Sequence, residues 1–448
     1  MPFSPSDSTI FSSLFSDPAV TDIFSDEHFV RSMLLVESAL AKVEGRLKII
    51  PAGAGRQIAA AGLELKVDFE ALRAGTERDG FPVIELVRQI RALVGADAAG
   101  YVHWGATTQD IMDTALILQL REGLGVLEAG LGQLIPALAS LADRHRNTLM
   151  AGRTHSQQAL PITFGFKVAN WLAPLLRQRQ RLAELKPRLL AVQFGGAVGT
   201  LAALGEAGLQ VQRKLADELK LAVLPIAWHS QRDNLVELAG WLSMLSGSLA
   251  KIAQDIILMA QTEIAELHEA PPGSRGGSST MPQKGNPVVS ETIVAAARTN
   301  ASLLASMHQA LLQEQERATG SWQMEWLVLP QMFGLTAGAL QKTLFLCGNL
   351  VVDEAQMRRN VQASNGLMLA EGLGFLLAQQ MSRVEAERLV RDACQVAIQY
   401  DRHLTDVLRE QISAPADWPA LRSEADYLGA AQAFIDRVLQ AASGKSGI

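Results

Sequence analysis

Between residues 226 and 270 the chain carries no proline and just two glycines, Gly240 and Gly247. Along this run Leu235, Leu242, Leu249 and Ile256 recur every seven residues, and so do Leu238, Leu245, Ile252 and Met259. Two apolar series with that period draw one stripe along a helix, the pattern of a coiled-coil seam. At 1.5 Å per residue a helix through the whole segment would reach roughly 60 Å. Other segments have the same character. Residues 288–319 lack glycine and proline and follow Asn286-Pro287, an N-cap and first-turn pair. Thr107 and Asp110 have capping-box spacing and open a helix expected to run past Pro136 into the 140s. Residues 161–187, bent at Pro174, and residues 329–350 complete a set of five. The expectation is an all-α chain with a central elongated five-helix bundle over 105–350. Smaller helical domains are expected over 1–104 and 351–448.

Composition agrees. Apolar residues are 48% and aromatics 5%, with three tyrosines, which favours helix over sheet and excludes disorder. Lys plus Arg number 40 against 46 Asp plus Glu, so the basic excess of a nucleic-acid binder is missing. An anionic ligand would have to meet a local cationic pocket. Cys347 and Cys394 are too few for a disulfide framework or a four-thiolate zinc site. The Gly195-Gly196-Ala197-Val198-Gly199-Thr200 run lacks dinucleotide-binding spacing and suits close packing or a tight turn. No metal or cofactor is expected. No Lys or Arg precedes Arg31, so a signal peptide's charged start is absent, and polar residues from Ser243 to Asp255 interrupt the most apolar stretch. These features point to a soluble, cytoplasmic protein with neither a membrane nor a nucleic-acid partner. The even spread of apolar residues over the central helices points to an oligomer.

Three polar islands interrupt the helices. The densest, residues 271–286, joins Pro271-Pro272-Gly273-Ser274 to a Gly-Ser run ending at Lys284-Gly285-Asn286. Small residues there let backbone N–H groups approach an anion, and Lys284 adds a point charge. A flexible linker fits that composition equally well. A second island, Tyr101 to Asp110, contains His103, Thr107 and Thr108; a third, Gly152 to Pro161, sets His155 in a loop between Arg153 and several amides. A lone loop histidine is more often solvated than catalytic. Gln231 and Arg317 stand at the ends of the longest helices, where caps and ion pairs are the default explanation.

Taken in order, the islands resemble the fumarase/aspartase superfamily. Gly277-Ser278-Ser279-Thr280-Met281-Pro282-Gln283-Lys284-Gly285-Asn286-Pro287 matches its Gly-Ser-Ser-x-x-Met-Pro-x-Lys-x-Asn signature with one residue fewer between Ser and Met. Gly152-Arg153-Thr154-His155 matches a second region, and His103 to Asp110 a first. The resemblance implies a homotetramer with a twenty-helix core and active sites assembled from three subunits. It implies proton transfer at the carbon next to a carboxylate, with Ser278 as the group that exchanges that proton and His155 as general acid. Loop amides and Lys284 would stabilise the serine oxyanion. The implied substrate-binding residues are His103, Thr107, Thr108, Arg153, Thr154, Gln231, Lys284, Asn286 and Arg317, facing a small polycarboxylate.

Within the superfamily the wording of the first two motifs is similar to the carboxymuconate cycloisomerase branch. Adenylosuccinate lyases usually carry an Arg-Tyr pair where this chain has Leu14 and Phe15, and an Arg where it has Trp326. Each lost phosphate anchor is a charge-assisted hydrogen bond of about 1.5–3 kcal/mol, so a nucleotide substrate is disfavoured. The alternatives are an adenylosuccinate or other fumarate-releasing lyase, and an inactive structural relative.

Overall fold

The computed structural model describes residues 8–270, 275–412 and 423–444. Helix α1 (Asp26–Arg46) starts at Ser25, whose Oγ accepts the His28 N–H, with Asp26 and Glu27 in its first turn and Arg46 in its last. It is followed by α2 (Ala52–Glu64), α3 (Thr108–Arg144), strands β1 (Leu149–Thr154) and β2 (Gln157–Thr163), and α4 (Phe164–Leu189). Next come α5 (Asp233–Met259), β3 (Leu267–His268), α6 (Val288–Gln309), α7 (Ser321–Asn349), β4 (Val351–Val352) and α8 (Glu354–Gln362). The described residues are mainly helical, and four short strands among them form two antiparallel pairs, β1 with β2 and β3 with β4.

The heptad stripe is realised. Leu235, Leu238, Leu242, Leu245, Leu249, Ile252 and Ile256 are all within 1% of complete burial. By length and composition alone α3 and α5 could cross a membrane, but this stripe is taken up inside the protein. The long helices are shorter or longer than the punctuation suggests. Helix α5 ends at Met259, about 40 Å from its start, because the polar run Gln261-Thr262-Glu263 ends the apolar period and the chain turns into β3. Helix α6 stops at Gln309, ten residues before 319, since residues 313–317 are all polar and Gln315 takes a left-handed conformation. Helix α7 starts at Ser321, ahead of residue 329, with Trp322 and Glu325 on its buried side.

Contacts divide the chain into two compact units. The first comprises residues 1–130, 178–247 and 295–341. In it Asn300 of α6 donates to Thr336 Oγ1 of α7 at 2.9 Å and to Ser246 Oγ of α5 at 3.2 Å, while Trp241 Nε1 of α5 donates to the Gln178 carbonyl of α4. These buried bonds fix the register of the long helices. Helices α1 and α2 touch backbone to backbone, and a Cβ on Gly55 would lie 2.6 Å from the Ala41 oxygen. The second unit comprises residues 131–177, 248–294 and 342–448, and contains the β1–β2 hairpin, the β3–β4 pair and α8.

Candidate active site

In the first unit the start of α3 is organised by one carboxylate. Asp110, completely buried, accepts the N–H groups of Thr107 (3.0 Å), Gly195 (2.8 Å) and Gly196 (2.9 Å) and faces His229 Nε2 at 2.7 Å. Its hold on Thr107 is the reach-back half of a capping box. Gly196 is left-handed, and a Cβ on Gly195 would come within 2.6 Å of the Ala227 side chain and 2.9 Å of His229 Cε1. The glycine run therefore serves close packing. Gln109 donates to the His229 carbonyl and accepts from Arg317 Nε at 3.0 Å, which ties Arg317 to the start of α3. Arg317 Nη2 is buried with no partner among the described residues. Thr107 and Thr108, just before Gln109 in sequence, are half-buried, and Gln231 is exposed at the entry to α5.

Next to Gln231, Arg232 is wholly buried between Asp113 and Glu325, with Trp322 Nε1 also on Asp113 and the Trp228 ring 4.9 Å from the guanidinium. That cluster joins α3 and α7 to the residue just before α5 as a structural ion network. His103 has a partner in Glu37, Nδ1 to Oε1 at 2.5 Å.

In the second unit the island around His155 is a hairpin instead of the expected loop. Thr154 pairs with Gln157 and Arg153 with Gln158, leaving His155 and Ser156 as a two-residue tip, both left-handed and exposed. Such tips ordinarily carry Asn-Gly, so His-Ser gives no turn signal. Arg153 makes a two-pronged pair with fully buried Glu266, at 2.9 and 2.7 Å, and Asn360 of α8 donates to the same carboxylate. Both terminal nitrogens of Arg153 thus brace the hairpin base.

The first four residues of the 271–286 island lie outside the described residues. The rest folds on itself: Asn286 N–H donates to the Gly276 carbonyl at 2.8 Å, and Gly277 bridges Gly285. Gly276 has φ 70°, and a Cβ there would lie 2.1 Å from the Asn286 oxygen, so the turn requires glycine. Ser278 Oγ accepts the N–H groups of Met281 at 3.1 Å and Thr280 at 3.3 Å. Two amides aimed at one hydroxyl oxygen favour negative charge on it. Lys284 is exposed on the same loop. At the loop's base, buried Glu269 accepts the N–H groups of Ser290 and Val289.

The candidates thus fall into two sets. His103, Thr107, Thr108, Gln231 and Arg317 belong to the first unit; Arg153, Thr154, His155, Ser278, Lys284 and Asn286 belong to the second. The sequence gives no signal for Glu37, His229, Glu266 and Asn360, distant partners of residues in the three islands, or for Glu269, which holds the start of the helix after the signature loop.

A family described as lyase matches residues 14–299. A 3-carboxy-cis,cis-muconate cycloisomerase of Acinetobacter baylyi is 41% identical over 98% of this chain and the full length of that protein. Trans-aconitate decarboxylase 1 of Mycosarcoma maydis is 40% identical over 96% of this chain and 88% of its own. The crystal structure of a 3-carboxy-cis,cis-muconate lactonizing enzyme from Pseudomonas putida is similar with a TM-score of 0.93, at 41% identity, covering 98% of this chain and all of that one.

Proposed function

The chain belongs to the lyase family, and we propose that it is a cycloisomerase interconverting 3-carboxy-cis,cis-muconate and 4-carboxymuconolactone. The near full-length likeness to proteins of that activity supports the reading. The structural observation that carries it is Ser278 Oγ beneath two loop amides.

In the lactonising direction the nucleophile is one of the substrate's own carboxylates, already ionised at neutral pH. Its oxygen adds to the β-carbon, and charge gathers on the neighbouring carboxylate-bearing carbon. Neutral Ser278 gives its proton to that carbon, and the alkoxide left behind is held by the Thr280 and Met281 amides and by Lys284 until solvent reprotonates it. In reverse the leaving group is a carboxylate that hardly needs protonation, so His155 has the lighter task. Arg317, His103, Thr107, Thr108, Thr154, Gln231 and Asn286 are the proposed contacts to the three substrate carboxylates. Arg153 acts by holding the hairpin.

A nucleotide substrate is disfavoured by the surroundings of Trp326. It packs edge-on against Trp322 at 4.9 Å, and Trp322 stacks on Phe81 at 5.5 Å. The place of a phosphate-binding arginine is filled by aromatic rings.

Completion of the site by neighbouring copies, in a homotetramer with a twenty-helix core, belongs to the same proposal. So do the 1–104, 105–350 and 351–448 division and a cytoplasmic location. Met244 and Leu258 on α5 are 46% and 43% exposed and Leu327 on α7 is 67% exposed, apolar surface that partner helices would cover.

The test is ultraviolet monitoring of 3-carboxymuconate consumption by purified protein, with product stereochemistry read by NMR. Adenylosuccinate and trans-aconitate are the comparison substrates. Lactone formation is expected; turnover of a comparison substrate alone would overturn the assignment.

A further inference from the structure

His103 is held from one side only. It sits on a left-handed turn (φ 65°), its Nδ1 lies 2.5 Å from Glu37 Oε1, and its Nε2 has no hydrogen-bond partner among the described residues. Glu37 is 1% exposed on α1. One heptad further along the same helix Glu44 is completely buried, and neither of its carboxyl oxygens has a partner among the described residues; the same holds for Glu37 Oε2 and Ser38 Oγ. Two ionised carboxylates cannot share such a site without heavy cost. Burial first, and the charge of Glu37 second, push Glu44 up to about 9. Glu44 is therefore the neutral member of the pair at physiological pH, and it is Glu37 that faces the imidazole.

We propose that Glu37 is a positioning residue for the reaction, clamping the His103 ring through Nδ1 so that Nε2–H is the donor offered to a carboxylate of the bound polycarboxylate. The inference rests on the reading of His103 as a substrate contact. The chemistry of the ring makes it specific. With the Nδ1 proton committed to Glu37, a neutral His103 shows a lone pair at Nε2 and repels a carboxylate, whereas the imidazolium offers a charge-assisted donor. The charged groups around the ring are Glu37, Asp110 and Arg91. Burial lowers its proton affinity and Arg91 opposes charging, but Glu37, by charge and hydrogen bond, and Asp110 outweigh them, so the net shift is upward. Affinity for a polycarboxylate should therefore weaken as pH rises through the His103 titration.

The test uses the full-length protein with Glu37→Gln and Glu37→Asp, and His103→Asn to assign the ring signal. Imidazole nitrogen NMR is titrated with and without propane-1,2,3-tricarboxylate, and steady-state kinetics on 3-carboxymuconate are run across pH. Glu37→Gln should move the His103 titration to lower pH and raise KM about tenfold at a pH between the two His103 midpoints, the order of one lost charge-assisted bond. The effect on kcat should be small, and Glu37→Asp should restore part of both. An unmoved His103 titration in Glu37→Gln, or a fall in kcat with KM unchanged, would overturn the clamp. If the wild type lacks turnover while tricarboxylate still shifts the His103 signal, and does so less in Glu37→Gln, the clamp stands and only the assigned reaction fails.

Discussion

The Ser290 N–H donates to Glu269 Oε1 at 2.6 Å, fastening a carboxylate that precedes the signature loop to the helix that follows it. The second carboxylate oxygen takes the Val289 N–H at 3.0 Å. One side chain thus closes the base of the loop that carries Ser278, and satisfies two of the donors that a helix start leaves open.

Replacing Glu269 by Ala should loosen that base. Two hydrogen bonds to a charged acceptor, each about 1.5–3 kcal/mol, are lost and two buried N–H groups are left open. Turnover should fall on the order of tenfold or more, with faster proteolysis at Arg275 and Lys284. Glu269→Gln keeps one acceptor oxygen and should fall between. Unchanged turnover and protease resistance in Glu269→Ala would show that the loop is positioned by other contacts.

Ser278→Ala should lose more turnover than His155→Asn. In the proposed reaction the serine oxygen, under the Thr280 and Met281 amides, is the one proton donor to carbon. His155, at the exposed tip of a hairpin, has in that proposal only to assist a carboxylate that is already a good leaving group. Steady-state assays in both directions decide the matter, and equal losses would contradict the division of labour.

Asp110→Asn should weaken the first unit and the proposed substrate contacts at the start of α3 together. The carboxylate accepts three backbone N–H groups and faces His229. An amide nitrogen in place of one oxygen would point a donor at a donor. About 2–4 kcal/mol of stability should be lost, seen as a lower urea midpoint, together with a higher KM.

Local chemistry was the part of the molecule most legible in the sequence. The heptad series marked the buried face of α5, the Thr107–Asp110 spacing marked the start of α3, and the Gly195-Gly196 pair marked a close backbone approach. The hairpin was not legible, because His155 and Ser156 adopt left-handed conformations that favour glycine or asparagine. Partners far along the chain were not legible either. Glu37 lies 66 residues from His103, and Glu266 lies 113 from Arg153. Such pairs leave no periodic trace; only the folded backbone brings them together. The ends of α6 and α7 were misplaced for a related reason. A run without glycine or proline permits a helix, but burial decides where it stops.

Glu44 supplies a prediction about stability with a definite sign. Its carboxyl is raised to about 9 in the folded chain, against about 4.3 for a solvated glutamate. Between those values the folded state holds a proton that the unfolded state has released. Stability from this group is therefore complete below about pH 4, declines as pH rises through the window, and is lost above about 9. Glu44→Gln, neutral at every pH and of similar shape, removes the titration while leaving the backbone packing of α1 on α2 in place. Near pH 5 the two proteins should melt within a few degrees of each other. Near pH 8 the variant should be the more stable, since the wild type alone must keep a carboxyl protonated against its solution preference. Melting temperatures measured across that range are the check, and parallel curves would mean that Glu44 is ionised inside the fold and has found a partner there.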